Sequence, residues 1–335
     1  MIKKLYWVLL ILGTVIGAGY ASGREIWLFF GPNSGLAIVS FTILFGLSNY
    51  SILLISYQKQ SKSYQPILIN LLTPKTNKFY DRITFIYLIM TIIIMISGSG
   101  ALLEVFELPK WFGILFIVIM LVWIFSYNLN QLLDINSIIV PALLLGLMII
   151  LIIFLKNNSN VSTTAIGDPN YFNAALFTSV NLLPIVSIIG AFGYKLTSKR
   201  EVIFTSVCSA VILGTISWIY NHSLSLIELN SDNYEMPVYA ILKHFPGIAV
   251  IVMTFIIWLA IFLTALAAMV GVISRLQSRF NLSRFKIALF LMITLTPFSF
   301  VGFQALVESI YPVYGIINLY LLVKLVAYPF TDSKT

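Results

Sequence analysis

Of the 335 residues, 59% are hydrophobic and 10% charged, with a mean hydropathy of +0.98. Soluble domains carry about 25% charged residues, so composition excludes an ordinary soluble domain, and recurring apolar runs predict spanning helices rather than a barrel's alternating strands. A single cysteine, Cys208, excludes an intrachain disulfide and a cysteine metal cluster, while the +8 net charge gains a meaning only from where its charges fall.

The apolar runs predict ten spans: 5–30, 35–57, 83–105, 111–127, 135–155, 173–194, 202–222, 247–273, 286–303 and 306–325. The Met-Ile-Lys-Lys start resembles a signal peptide, but the apolar core runs past Gly19 to Phe30 with no clear Ala-x-Ala site, which predicts a retained helix. Gly31-Pro-Asn-Ser-Gly35 reads as a tight turn after span one, Glu107-Leu-Pro-Lys110 as the turn into span four, and Asn128 to Asp134 as the link to span five. Lys156 to Phe172 is rich in Asn, Ser and Thr and reads as irregular. In the loop Leu224 to Gly247, Pro237 starts an apolar run, Val238 to Phe245, too short to span. It predicts a short helix, either over the external mouth or flat in the interface.

Charge placement sets the orientation. Sixteen of the twenty cations fall on one side: Lys3, Lys4, Lys59, Lys62, Lys75, Lys78, Arg82, Lys195, Lys199, Arg200, Arg275, Arg279, Arg284, Lys286, Lys324 and Lys334. Arg24, Lys110, Lys156 and Lys243 fall on the other. Short-loop Lys and Arg mark the cytoplasmic side, which predicts a bacterial cytoplasmic membrane protein with both termini inside and no nucleic-acid partner. Glu25, Glu104, Glu107, Asp168, Glu228, Asp232, Glu235 and Glu308 lie outside or in outer halves of spans.

Gly13-Thr-Val-Ile-Gly17-Ala-Gly19-Tyr-Ala-Ser-Gly23 lies inside span one. Each glycine costs a helix about 1 kcal/mol relative to Ala, so the run predicts two half-helices whose freed backbone groups face a cavity rather than hydrocarbon. Freed carbonyls can hold a cation, and the N–H groups of Gly17 to Gly19 a carboxylate. Spans one to five and six to ten are of similar length, 5–155 and 173–325, and five is odd, so the halves would be inverted repeats. Span six carries a matching disruption, with Asn181, Pro184, Ser187, Gly190 and Gly193. Pro184 lacks an N–H and leaves the Val180 carbonyl without its helical partner.

Gly13-Thr-Val-Ile-Gly-Ala-Gly-Tyr-Ala-Ser-Gly-Arg-Glu25 resembles the opening of the YkvI-like bacterial membrane proteins, and Ile310-Tyr-Pro-Val-Tyr-Gly-Ile-Ile317 resembles their ending. That family is similar to the amino acid–polyamine–organocation superfamily. The resemblance implies a LeuT-type all-α fold, ten transmembrane helices in a five-plus-five inverted repeat with helices one and six discontinuous, forming one transporter domain. It implies alternating-access symport of a small solute, an amino acid or amine, with the lipid bilayer as the other partner.

The expected substrate contacts are backbone at Ile16, Gly17, Ala18, Gly19, Val180 and Pro184, with the side chains of Asn181, Ser187 and Ser97. The Ser97-Gly-Ser-Gly-Ala101 run also reads as a packing seam. No cofactor is expected beyond a coupling ion. By the resemblance, the carbonyls of Gly13, Ile16 and Ile261 and the hydroxyl of Thr264 would hold Na+, although Ala265 replaces a second hydroxyl. Proton coupling stays open, despite the lack of a basic residue in the middle of spans five and eight. A charge at a helix centre costs about 2.5–3.5 kcal/mol, so Arg24 needs a partner. Glu308 would close an outer gate with it, Glu104 is the second candidate, and snorkelling to headgroups is the third reading. No metalloprotease, nucleophile-elbow or phosphate-loop motif is present, so catalysis is not expected. The alternative function is a non-transporting ligand receptor on the same scaffold, as in spore-germination permease-like proteins.

Overall fold

The structure, a computed structural model, describes residues 2–126, 132–158, 170–227, 234–280 and 282–331. Most of the predicted link from Asn128 to Asp134, the middle of the Lys156 to Phe172 loop, and Asp168, Glu228 and Asp232 lie outside the described residues.

All regular structure among the described residues is helical. In chain order the elements are α1 (Ile2–Val15), α2 (Ala18–Ala21), α3 (Arg24–Phe30), α4 (Gly35–Lys59), α5 (Gln65–Leu71), α6 (Pro74–Glu104), α7 (Lys110–Ile124) and α8 (Leu132–Asn157). They continue with α9 (Tyr171–Val180), α10 (Leu182–Phe192), α11 (Lys199–Ser225), α12 (Val238–Leu242), α13 (Gly247–Phe280), α14 (Arg284–Ser299) and α15 (Phe303–Thr331). Among the described residues, seven stretches are long and apolar enough to cross a membrane: α4, α6, residues 139–157, residues 171–195, α11, residues 247–277 and α15. Leu5–Val15 and α7 are shorter apolar helices.

The chain is a multi-pass membrane protein with apolar residues on both its outside and its inside. Ile119, Leu145, Ile248, Phe290 and Ile293 are among the most exposed side chains, as lipid requires. Serines and asparagines such as Ser48, Asn49, Ser209 and Asn318 are buried between helices. Several satisfy their hydroxyls locally or across a helix pair; Ser51 donates to the Leu325 carbonyl at 2.7 Å.

Element ends follow capping chemistry more closely than hydropathy. The predicted turns are present: Gly31 and Asn33 take positive φ before α4, and Glu107 does so before α7. However, α6 starts at Pro74, well before the predicted 83. Pro74 sits in the first turn, where a missing N–H costs nothing, and the Thr73 hydroxyl accepts from Thr76 N–H. The short α5 was not anticipated, and α13 runs past the predicted 273 to Phe280. A helix that leaves the apolar layer can continue wherever water or capping side chains satisfy its last groups.

Helix α12 is buried rather than interfacial: all five of its residues are inside the protein. The Val238 N–H just at its start donates to the Ser22 carbonyl at 2.8 Å.

Candidate solute and ion site

The first apolar segment holds three helices, α1, α2 and α3, with the glycine run between and around them. Helix α1 stops at Val15, Gly17 is extended (φ −95, ψ −164), and a four-residue turn of helix follows before Gly23 reverses the chain at φ +81. The Gly17 N–H, which an unbroken helix would direct at the Gly13 carbonyl, donates instead to Val15 O at 2.9 Å. The Tyr20 N–H, the helical partner of the Ile16 carbonyl, donates instead to the Glu25 carboxylate. The carbonyls of Gly13 and Ile16 are therefore among those that the break deprives of their helical donors, and they are two of the residues expected to face a cation.

Thr264 of α13 stands across the break. A Cβ on Gly17 would lie 3.6 Å from Thr264 Cγ2, 3.7 Å from its Oγ1 and 3.9 Å from Met95 Cε. The Thr264 hydroxyl donates to Ala260 O at 2.9 Å, which leaves its lone pairs turned outward as acceptors. Ala265 is buried and offers no side-chain oxygen, and Ile261 is fully buried on the same helix. These groups fit a hard monovalent cation in part, since one hydroxyl and a few carbonyls fall short of a full oxygen shell.

The second interrupted segment differs from its prediction in detail. Helix α9 ends at Val180 and α10 starts at Leu182, so the interruption falls at Asn181. Pro184 lies in the first turn of α10, where its missing N–H would have no helical acceptor anyway. The Asn181 side chain donates back to Phe177 O at 2.9 Å. Pro184 and Ser187 are half-buried, while Val180 and Ser97 are buried. Ser97 and Ser187 make no side-chain hydrogen bond among the described residues. Around Ser97 the seam reading has support: Gly98 packs against Phe303, Gly100 against Ile114, and Ser99 bonds both Gly113 O and Trp258 Nε1.

Aromatic rings join the two segments. Phe177 of α9 packs on Tyr20, Phe29 and Phe30 of the first segment, with centroids 6.5, 5.3 and 5.2 Å away. Tyr20 is further fixed by Ser217 Oγ at 2.9 Å, and Tyr220 donates to Ala21 O at 3.0 Å.

Arg24 is only 2% exposed, and its guanidinium bonds Glu308 and the Tyr234 carbonyl. Of the two carboxylates considered for it, the structure pairs it with Glu308. Glu104 instead takes Lys110 at 3.1 Å, and Lys110 also reaches Glu235 at 2.6 Å.

Two groups had no assigned role in the sequence. Glu25, 4% exposed, accepts from the Tyr311 hydroxyl as well as from Tyr20 N–H; its place one residue after a helix restart was the only hint. At the opposite end of the bundle, Asp81 binds Arg275 through two contacts, 2.5 and 3.1 Å, and accepts from Tyr64. Burial, and then the Asp81 carboxylate, push the Tyr64 hydroxyl above its ordinary range. Separation in sequence, 194 residues between Asp81 and Arg275, hid that cluster.

No protein-family model matches the chain. It is 40% identical over 324 residues to the Bacillus subtilis (strain 168) protein YyaD, covering 96% of both chains. It is 23% identical over 316 residues to the membrane protein YkvI of the same organism, covering 92% of this chain and 91% of that one. Among solved structures it is similar to MhsT in complex with L-phenylalanine, with TM-score 0.69 at 16% identity over 96% of this chain and 88% of that one. It is also similar to a Na+-coupled sialic acid symporter in a substrate-bound outward-open state, with TM-score 0.61 at 12% identity over 96% and 78%. The fold is therefore of the LeuT type.

Proposed function

The chain belongs to the YyaD family of membrane proteins, with YkvI a more distant relative, and from that premise we propose that it is a secondary active transporter, a symporter of a small organic solute, an amino acid or amine. The observation that carries the reading is the broken backbone at Ile16 and Gly17 facing Thr264, inside a fold whose solved neighbours transport solutes. The names of those neighbours, with L-phenylalanine and sialic acid, support a small organic solute.

In this reading the chain is one transporter domain of ten spans in two inverted repeats. Helix pairing supports it: α4 packs on α11, α6 on α13, and α1 meets α8 as α9 meets α15, the exchange expected of a two-fold axis in the membrane plane. The solute lies among Ile16, Gly17, Ala18, Gly19, Val180 and Asn181, with Pro184, Ser187 and Ser97 at its edges. Sodium, if it is the coupling ion, is held by the carbonyls of Gly13, Ile16 and Ile261 and the Thr264 hydroxyl. A bound cation there would link the break to α13 and favour the conformation in which the solute fits. The Arg24–Glu308 pair closes the outer side, and the termini lie in the cytoplasm of a bacterial cell.

Uptake of labelled amino acids and amines into proteoliposomes, with and without a sodium gradient and with a proton gradient, tests this. Accumulation above equilibrium is expected. Saturable binding with no accumulation would instead identify a receptor on the same scaffold.

A further inference from the structure

In the proposed site a solute carboxylate would be expected at the N–H groups of Gly17 to Gly19. The structure has already committed much of that ground. Gly17 N–H is bonded to Val15 O, and Tyr20 N–H to the carboxylate of the chain's own Glu25. Glu25 folds back from the start of α3 against Gly19, so closely that a Cβ on Gly19 would stand 2.7 Å from both its Cγ and Cδ.

Glu25 is enclosed and, among the described residues, has no cationic partner. It is 4% exposed, and the ion pairs among the described residues are Arg24–Glu308, Lys110–Glu104, Lys110–Glu235 and Arg275–Asp81. Its other neighbours are aromatic. Tyr311 donates to it, and Tyr87, also close by, stands edge-on to Tyr314 with centroids 5.0 Å apart. A carboxylate brought to this place would meet a second carboxyl group away from water, which disfavours the charged form of both. An ammonium would do the opposite: it would favour the ionised carboxylate, whose two oxygens accept from its N–H groups, and the tyrosine rings nearby attract cations.

We propose that Glu25 is the counter-charge of the transported solute, and that the solute is an organic amine with a free ammonium and no adjacent carboxylate. The proposal rests on the transporter reading for the location of the site and is independent of the coupling ion. Arg24, one residue earlier, is engaged with Glu308 and Tyr234, so it can close the site without neutralising Glu25.

Probe pairs that differ only in the carboxylate test it: phenethylamine with L-phenylalanine, histamine with L-histidine, cadaverine with L-lysine, and agmatine with L-arginine. The full-length protein in detergent is melted in the presence of each at millimolar concentration, and positives are titrated. The expected result is stabilisation by at least one amine and not by its amino acid. E25Q, which keeps shape and removes charge, should weaken that amine by about tenfold or more, whereas E25D retains the preference. Equal or stronger stabilisation by the amino acids, no stabilisation by any amine, or E25Q binding as tightly as wild type overturns the assignment. Should E25Q fail to fold, the wild-type panel still decides. Amine binding without accumulation in proteoliposomes refutes transport and leaves Glu25 its role; accumulation of an amino acid does the reverse.

Discussion

Replacing Gly19 with alanine asks whether the Glu25 carboxylate can occupy any other position. The added Cβ would lie 2.7 Å from Glu25 Cγ and Cδ, whereas ordinary contact begins at 3.4 Å. Glu25 Oε1 would be closer still, so the side chain must withdraw by more than about 0.7 Å, the difference of those two distances, and a hydrogen bond stretched that far loses most of its strength. The bonds at stake come from Tyr20 N–H and the Tyr311 hydroxyl. Hydrogen bonds to a charged group contribute about 1.5–3 kcal/mol each, and alanine returns about 1 kcal/mol of helix propensity. The net cost is about 2–5 kcal/mol if both bonds go, and a shift of about 1.4 kcal/mol is a tenfold change in an equilibrium. G19A should melt well below wild type in detergent and lose affinity for the stabilising solute by tenfold or more. Gly247→Ala, where a Cβ meets nothing within 4 Å, is the control. A G19A protein with wild-type melting and wild-type affinity would show that Glu25 has room to move, and the packing argument would fail.

Other substitutions separate the remaining parts of the site. At Gly17 a lone Cβ meets Thr264 and Met95 at ordinary distances of 3.6 to 3.9 Å, so Gly17→Ala should preserve membrane insertion and most uptake. Gly17→Leu must push further atoms between those two side chains and should abolish solute binding; normal uptake by the leucine variant would remove the break from the site. Glu308→Ala leaves buried Arg24 with the Tyr234 carbonyl and should keep affinity within a few-fold. It should also raise the labelling rate of a cysteine placed at Ser22, which is fully buried, in a background with Cys208 replaced. Unchanged labelling would remove Glu308 from the gate. Asp81→Asn weakens the Arg275 and Tyr64 contacts at the other end; the expected outcome is faster labelling of a cysteine at buried Ser61 and slower labelling at Ser22. No change at either position would make that cluster a static tie.

The break in the first segment was legible because its cause is local: glycines lower helix stability wherever they stand, and Gly23 takes a positive φ that other residues adopt less readily. The Arg24–Glu308 pair was legible as one of three readings, since a buried guanidinium demands a partner but the sequence does not say which carboxylate is near. Its rival, Glu104, went to Lys110 because α6 and α7 meet at their ends. Pro184 misled by a few residues. A proline marks a disturbance, yet its own favoured place is the start of a helix, so the interruption sits just before it, at Asn181. Glu25 and Asp81 were opaque for another reason. Their partners, Tyr311 and Arg275, come from the far end of the chain, and no periodicity along α3 or α6 encodes that meeting. Helix limits were the least readable feature, because apolar residues locate the bilayer and caps locate the helix.

Helix α12 has a bearing on how such a machine could be stopped. Its first N–H holds the Ser22 carbonyl, the adjoining Tyr234 carbonyl holds Arg24, and Glu235 holds Lys110. The loop thus grips the hinge of the first segment and the root of α7 together, and neither can travel without dragging it. An antibody fragment or a short crosslink that immobilised residues 234–242 would brake turnover at a distance from the solute, and would do so whichever molecule the protein carries.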